Sequence, residues 1–319
     1  MPGYPSPKLS DPVYCSDVNL FDATRMAAAL LPDPDRSTVA VAAPGQGPGY
    51  WAGAPSAVAF DGQIYLAYRL RRPLNLGRGY AVTLARSSDG ERFETLLTIG
   101  KEKVRADSLE RPALIRMPAG TWRLYLSCAT YGTKHWRVEV IEANHPAEFD
   151  ARQTQVTLPG DAKTGVKDPV IVSRHGTWEL WASCHRLTDP ADADQMVTDY
   201  ATSADGLQWT WHGTALSGRP GKWDARGARI SSVHFDGDTV VAYYDGRASA
   251  AENYEERTGV ATGTEPSALT ALGSAPFAEA RHGGGLRYLH VLPLPDGTHR
   301  LYYELTGPSG AHELRTEVR

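Results

Sequence analysis

Charged side chains precede prolines that recur at a constant interval in this chain of 319 residues. Pro112 and Pro169 stand 57 residues apart, with Glu110 close before the first and Asp168 directly before the second. Two carboxylates in different environments can have different pKa values, so that one donates a proton while the other acts as base or nucleophile. We therefore predict that Glu110 and Asp168 carry acid–base chemistry, with a structural ion-pair role as the alternative for each.

A third acidic candidate is Asp245, in a segment that reads Tyr-Tyr-Asp-Gly-Arg and ends at Arg247. Asp245 fits either a catalytic role or an ordinary turn. The planar fork of Arg247 suits a carboxylate or a phosphate. The loop over residues 247–259 is long and charged, and long loops in compact repeats are often functional. We expect Tyr254 and Glu255 to cover a pocket, unless this loop is only a solvated surface.

Basic, aromatic and histidine side chains complete the predicted site. The substrate-binding candidates are Trp51, Arg69, Arg111, Tyr131, His185, Arg229, Arg247, Tyr254, Glu255 and Arg287. The arginines would hold an anionic or hydroxyl-rich group, and the aromatic rings would stack on a sugar face. The alternative is structural, because buried charges are costly unless paired and arginine–carboxylate pairs could join neighbouring repeats.

The elements that must position these side chains form a repeat of about 57 residues, read five times. Each copy has a short apolar strand, a glycine-centred turn and a second strand rich in Tyr, Trp and Leu. The copies start near Ala54, Arg111, Asp168, Arg229 and Arg287. Four strands of about six residues plus turns fill such a period, which predicts an all-β, five-bladed β-propeller.

In a propeller the innermost strands begin near the central axis and the second strands return antiparallel to them, so two rings of positions meet at one axial pocket. The first ring contains Gly53-Ala54, Glu110-Arg111, Lys167-Asp168, residues 226–229 and Arg287-Tyr288. The second contains Arg69, Thr130-Tyr131, His185-Arg186, Asp245-Gly246-Arg247 and Glu304. Apart from Gly53-Ala54 in the first copy, both rings are charged or polar throughout. We expect this pocket to bind a small carbohydrate-like molecule.

Residues 1–50 carry no copy of the repeat and are predicted to be an N-terminal extension to a propeller over residues 51–319. A strand over residues 38–43 would complete the last blade, because an open ring leaves strand edges exposed. A short helix is predicted over residues 22–31, before two prolines.

The composition indicates a globular protein without a nucleic-acid or membrane partner. The net charge is −4, and no apolar run is long enough to span a membrane. Residues 1–10 lack the features of a signal peptide, so we expect a cytoplasmic protein. Cys128 and Cys184 occupy matching positions and are expected to be buried thiols. No histidine spacing typical of zinc occurs, so no metal ligands are predicted.

On these features the chain resembles the five-bladed β-propeller glycosidase superfamily, with its arabinanase-like (family 43), invertase-like (family 32) and mannoside-phosphorylase-like (family 130) members. The resemblance covers about residue 50 to the end. It rests on the five copies, on Lys167-Asp168-Pro169, and on two Ser-x-Asp-Gly-x-x-Phe/Trp turns that begin at Ser87 and Ser203. It implies that Asp168 is the aspartate that tunes the catalytic acid. Some members keep a calcium ion near the axis, although no run of spaced carboxylates here demands one, and no cofactor is expected.

The chain departs from the superfamily where an aspartate usually opens the first blade as nucleophile or base. That place reads Trp51-Ala52-Gly53-Ala54-Pro55, and Glu110 does not occupy the blade of the usual acid. This departure leaves three alternatives. The protein uses a different set of catalytic groups, such as Glu110, Asp168 and Asp245, or phosphate is the nucleophile that attacks the sugar. In the third alternative the protein no longer acts on glycosides. We expect a glycoside-active hydrolase or phosphorylase of carbohydrate metabolism that acts on a small sugar. The arginines would also suit an anionic sugar. The alternative is a non-catalytic binder or a non-glycosidic biosynthetic enzyme.

Overall fold

The computed structural model describes residues 27–319, and its regular structure is almost entirely β. Of the helix predicted over residues 22–31, residues 27–29 are helical, residues 30–31 are not, and residues 22–26 lie outside the described residues. In chain order the strands are β1 (Thr38–Val41), β2 (Trp51–Phe60), β3 (Gln63–Arg71), β4 (Gly79–Ser87), β5 (Glu94–Gly100), β6 (Ala113–Arg116), β7 (Trp122–Ala129), β8 (Trp136–Ala143), β9 (Gln155–Leu158), β10 (Thr164–Arg174), β11 (Thr177–Arg186), β12 (Met196–Ser203), β13 (Thr210–Leu216), β14 (Gly227–Asp236), β15 (Thr239–Arg247), β16 (Arg257–Glu265), β17 (Ala268–Ala271), β18 (Leu286–Pro293), β19 (His299–Thr306) and β20 (His312–Val318). Short 3-10 helices cover Leu74–Leu76, Lys101–Val104, Pro146–Glu148, Ala151–Gln153 and Ala250–Glu252.

The strands form five antiparallel four-stranded blades, which confirms the predicted propeller. Four blades are consecutive in the chain: β2–β5, β6–β9, β10–β13 and β14–β17. The fifth combines β18–β20 with β1, which pairs antiparallel with β20. This pairing satisfies the outer edge of β20 with a strand from the other end of the chain. The division at residue 50 between extension and propeller stays a prediction. Within residues 27–319 no helix is long and apolar enough to cross a membrane.

An irregularity in the inner strands turns side chains toward the axis. The pairing of β2, β10 and β18 with their neighbours shifts at Gly53/Ser56, Lys167/Val170 and Arg287/His290. At the shifts, Ala54, Asp168 and Tyr288 have φ angles of 53°, 53° and 55°. Such bulges bend a strand and redirect a side chain, and L-residues adopt them only where the surroundings hold them. Two of these residues, Asp168 and Tyr288, thereby come within hydrogen-bond distance of each other, at 3.3 Å.

Five apolar clusters fill the spaces between neighbouring blades. The cluster between the first and second blades includes Leu84 and Leu124, and the cluster between the fifth and first includes Leu66 and Tyr302. The others occupy the three remaining blade interfaces. Each blade therefore buries both faces against its neighbours. Cys128 and Cys184 are buried free thiols in two of these clusters, as predicted.

Candidate functional site

A cavity of about 140 Å³ lies at the axial end where the inner strands begin. Six of the predicted site residues line it: Glu110, His185, Arg229, Arg247, Tyr254 and Arg287. Arg69, Asp168 and Asp245 are fully buried and are not among the lining residues. Trp51, Arg111, Tyr131 and Glu255 do not line it either. Both rings of positions predicted from the sequence therefore contribute residues to this cavity, and burial decides which side chains line it.

Glu110 is the predicted catalytic carboxylate that faces the cavity. It precedes β6, and its backbone N–H donates to the Ser127 carbonyl at 3.0 Å. Its carboxylate oxygens each lie 3.2 Å from a guanidinium nitrogen, one on Arg69 and one on Arg71. Burial alone would raise the pKa of Glu110, but Arg69, Lys167 and Arg71 outweigh burial and hold it below its usual value. Glu110 is therefore ionised at neutral pH and suits a base or nucleophile better than an acid.

Asp168 is buried beneath the cavity and is held by several donors. Its Oδ1 accepts from the backbone N–H of Arg111 at 3.1 Å, and its Oδ2 accepts from the Tyr288 hydroxyl at 3.3 Å. Lys167 Nζ and Arg229 Nη1 lie 3.3 and 3.4 Å from the same oxygen. Burial opposes ionisation, yet Lys167 and Arg229 lower the pKa of Asp168 to about 2. Asp168 thus positions two cations and does not supply a proton at neutral pH.

Asp245 lies within β15 and not in a turn, so the turn alternative is wrong. Its Oδ2 accepts from Nε and Nη2 of Arg229 at 3.0 and 2.8 Å, and its Oδ1 accepts from the backbone N–H of Tyr288 at 2.9 Å. Burial raises the pKa of Asp245, against the opposing effect of Arg229. This carboxylate connects the fourth and fifth blades and has no direct access to a ligand in the cavity.

The first blade lacks a carboxylate because the fifth blade fills its place. A Cβ on Gly53 would stand 1.9 Å from Glu304 Oε2. Glu304 Oε2 pairs with Arg69 Nη2 at 2.6 Å, and Oε1 pairs with Arg287 Nη2 at 2.7 Å and His312 Nδ1 at 2.6 Å. Glu304 was present in the second ring of the sequence argument, but nothing in the sequence indicated that it would occupy the space beside Gly53.

Arg111 closes the axis below the cavity instead of lining it. Its guanidinium donates to the carbonyls of Pro55, Pro169 and Ser231 at 3.3, 3.0 and 2.8 Å. These carbonyls belong to three different blades. Arg111 also lines a second, mainly apolar cavity of about 510 Å³, formed by the inner strands farther along the axis. The predicted substrate contact is therefore a structural plug between two axial cavities.

The other predicted arginines are paired with carboxylates across blades. Arg247 lies 2.8 Å from Glu256 and 2.9 Å from Asp194, and Arg287 lies 2.6 Å from Glu256. Burial opposes ionisation of Glu256, but Arg287, Arg229 and Arg247 hold its pKa well below the usual range. The structural alternative considered from the sequence, in which arginine–carboxylate pairs join neighbouring blades, thus describes much of this network.

The aromatic candidates occupy three different environments. Trp51 is buried, stacks on His312 with centroids 4.5 Å apart, and lies 4.2 Å from Arg71 Cζ. Tyr254 lines the cavity, is 39% exposed, and accepts a hydrogen bond at its hydroxyl from Arg71 Nη2 at 3.2 Å. Burial raises the pKa of Tyr254, but Arg71 and Arg287 bring it below the usual value. Tyr131 is 55% exposed and does not line the cavity.

Several lining residues were missed from the sequence: Arg71, Arg78, Lys134, Trp136 and Asp194. Arg71 follows Arg69 by two residues on β3, and the period of a strand could have indicated it. Lys134 and Trp136 stand where the third strand of a blade begins, a position that the two rings did not cover. Within residues 27–319 no group of three His, Cys, Asp or Glu side chains is arranged to hold a metal ion.

Neither a family model nor a curated protein matches this sequence. Solved structures do match. An enzyme of group GH43_1 from Xanthomonas citri has a TM-score of 0.63 at 15% identity, over 93% of each chain. The β-1,2-mannobiose phosphorylase from Listeria innocua has 0.62 at 14%, over 91% of this chain and 92% of that one. An α-L-arabinofuranosidase from Lactobacillus brevis has 0.63 at 14%, over 84% and 90%. The chain therefore has the five-bladed fold of these glycosidase-like propellers.

Proposed function

We propose that the protein is a glycoside-active enzyme, a hydrolase or a phosphorylase, acting on a small sugar in the axial cavity. The observation that carries the proposal is Glu110, an ionised carboxylate that faces this cavity. The names of the structural neighbours, which include a mannobiose phosphorylase and an arabinofuranosidase, support the same class of reaction. A cavity of about 140 Å³ favours a small substrate, because pockets for drug-sized ligands measure about 300–1,000 Å³.

Glu110 and Tyr254 divide the proton transfers in this proposal. As the glycosidic C–O bond breaks, its electron pair goes to the leaving oxygen, which takes the proton of the Tyr254 hydroxyl. In hydrolysis, water adds to the anomeric carbon and gives its proton to Glu110. In phosphorolysis, phosphate adds instead and a sugar phosphate results. Arg71 contacts both groups and stabilises the negative charge left on Tyr254.

The test uses 4-nitrophenyl glycosides of common neutral and acidic sugars, with and without inorganic phosphate. We expect release of 4-nitrophenol from at least one glycoside, and a loss of about 10²- to 10⁴-fold in kcat for Glu110→Gln. Tyr131→Phe is the matched control, because its ring is exposed outside the cavity. Stimulation by phosphate would assign phosphorolysis. Full turnover in Glu110→Gln would contradict the assignment of Glu110.

A non-catalytic binder, or an enzyme for another biosynthetic reaction, is the second candidate. The observation in its favour is that the lining carboxylates Glu110, Asp194 and Glu256 are all paired with arginines. A binder would retain ligand affinity without releasing nitrophenol from any glycoside in the panel. Isothermal titration calorimetry alongside the activity screen separates the two candidates.

A further inference from the structure

The basic side chains of the axial cavity fall into two groups. Seven line it: Arg71, Arg78, Lys134, Lys167, Arg229, Arg247 and Arg287. Four of the arginines are each paired with buried carboxylates at 2.6 to 3.4 Å. Their charge is already compensated by the protein. Binding of an anion must depend on the cations that remain.

The remaining three, Arg78, Lys134 and Lys167, line the cavity together with Trp136 and form the basic wall. Lys167 Nζ lies 5.1 Å and Arg78 Cζ 5.7 Å from the centroid of the Trp136 ring. Lys167 is 8% exposed, and its nearest carboxylate is Asp168, which Arg229 also uses. Arg78 pairs only with Asp107, a partly exposed side chain. Lys134 has no carboxylate within ion-pair distance among residues 27–319. Lys134 is therefore the lining cation that no described carboxylate neutralises, whereas Lys167 and Arg78 already pair with Asp168 and Asp107.

A hydrogen-bond acceptor stands in the same cavity. His185 Nδ1 lies 3.0 Å from the Ala193 carbonyl, which only accepts, so Nδ1 carries the proton. Burial, aided by Lys167, lowers the pKa of His185 to about 3, and the ring stays neutral. Nε2 is consequently an acceptor, and it is buried without a partner among the described residues. Such a group is costly unless a ligand donates to it.

We propose that the basic wall and His185 form a subsite for an oxyanion that also carries a hydroxyl group. Carboxylate or phosphate oxygens would accept from Lys134 and Lys167, and the hydroxyl would donate to His185 Nε2. A sugar acid or a sugar phosphate has this chemistry, and so does hydrogen phosphate through its own P–OH. The inference deepens the proposed function by naming its substrate class, and rests on that function only for the choice of a sugar.

The test measures binding by isothermal titration calorimetry at neutral pH. The probes are glucuronate, glucose 6-phosphate, inorganic phosphate, sulfate and glucose. We expect an anionic probe with a hydroxyl to bind and glucose to bind at least about tenfold more weakly. Lys134→Met should lower the affinity for the anion about tenfold. Lys103 is an exposed lysine that does not line the cavity, so Lys103→Met should leave the affinity unchanged. Lys134 is exposed, so its replacement leaves the buried network intact.

Phosphate and sulfate isolate the role of His185. Both are tetrahedral anions, but sulfate has no proton to donate at neutral pH. The wild type should prefer phosphate, and His185→Leu should remove the preference while Lys134→Met preserves it.

Equal binding of both anions by the wild type, or no effect of Lys134→Met, would overturn the subsite. Binding of phosphate alone would identify free phosphate as the ligand, and binding of sugar-linked anions only would identify the substrate's own group. Anion binding without glycoside turnover would refute the proposed function and leave the subsite standing.

Discussion

At the scale of single residues, the site depends on Gly53, which has no side chain. Gly53 leaves room for Glu304, whose carboxylate pairs with Arg69, Arg287 and His312. Burial works against the charge on Glu304, but the two arginines lower its pKa well below the usual value. Because a buried charge is tolerated only with partners, Gly53 is required by the packing of another blade and not by its own backbone angles.

Replacing Gly53 by alanine should therefore destabilise the protein. The new Cβ would lie 1.9 Å from Glu304 Oε2, so the carboxylate must move and loosen its three contacts. We expect the free energy of unfolding in urea to fall by about 2–3 kcal/mol. Gly307→Ala is the control, since its Cβ would meet the Ala311 carbonyl at an ordinary 3.5 Å. Equal stability of the two variants would show that Glu304 relaxes freely.

Stability should also decrease in mild acid because of His185 and Asp168. The pKa of His185 falls from an ordinary 6.5 to about 3 on burial, so the unfolded chain binds more protons between these values. Stability is then fully present above about pH 6.5 and is lost as the pH falls toward 3, with Asp168 adding a further loss below about pH 4. Urea midpoints at pH 8, 6, 5 and 4 measure this trend. His185→Gln should make it shallower between pH 6.5 and 4 without removing it, because burial also lowers the pKa of His290 to about 3. A flat wild-type profile would contradict the trend.

At the scale of elements, two Ser-x-Asp-Gly turns are each held by a hydrogen bond from a neighbouring blade. In the first turn, Ser87 Oγ accepts from the backbone N–H of Gly90, whose carbonyl accepts from the Tyr302 hydroxyl at 2.9 Å. In the other, the Gly206 carbonyl accepts from the Tyr125 hydroxyl at 2.8 Å. Both tyrosines end an Arg-Leu-Tyr triplet on the second strand of a neighbouring blade. The turns are thus links between blades, which explains why the motif recurs without any role in the cavity.

Removing either hydroxyl should weaken the protein modestly. Tyr125→Phe leaves the buried Gly206 carbonyl without its donor, and Tyr302→Phe leaves the Gly90 carbonyl with only Arg300 Nη1 at 3.5 Å. We expect a loss of about 1 kcal/mol for each. The two links lie at different blade interfaces, so the double variant should show the sum. Tyr131→Phe, at an exposed side chain, should change the urea midpoint little. A loss far below the sum would indicate that water replaces the hydroxyl.

At the scale of the whole molecule, the ring is stabilised both by its interfaces and at its centre. The five apolar clusters join neighbouring blades in sequence around the ring. Arg111 acts across the axis, because its guanidinium binds carbonyls of the first, third and fourth blades. Burial lowers the pKa of Arg111 only to about 10, so the group stays protonated at neutral pH. Arg111 thus ties its own second blade to both neighbouring blades and also to the fourth blade, with which the second shares no apolar cluster.

Arg111→Met should accordingly be among the more damaging substitutions. Three buried carbonyls would lose a charged donor, and we expect a loss of about 3 kcal/mol or more in the free energy of unfolding. Arg111→Lys should recover part of the loss, since one ammonium cannot reach all three carbonyls. Arg86→Met removes a partly exposed arginine paired with Glu94 and should cost less than about 1 kcal/mol. If Arg111→Met matched this control, the axial plug would have no structural importance.

The sequence by itself determined the five-bladed architecture and the end of the axis that holds the site. A period of 57 residues and alternating strands are local properties, and they place Glu110, His185 and Arg247 at the axial end without knowledge of the packing. Only the tertiary structure decided which charges face a ligand. Glu304 pairs with Arg69 from 235 residues away, and Arg111 reaches a carbonyl 120 residues away. Such pairing depends on which side chains from different blades meet in one buried space, and spacing along a chain does not encode it. Lys134 has no carboxylate partner among residues 27–319 for that reason, whereas the arginines that stood out in the sequence are engaged by the protein itself.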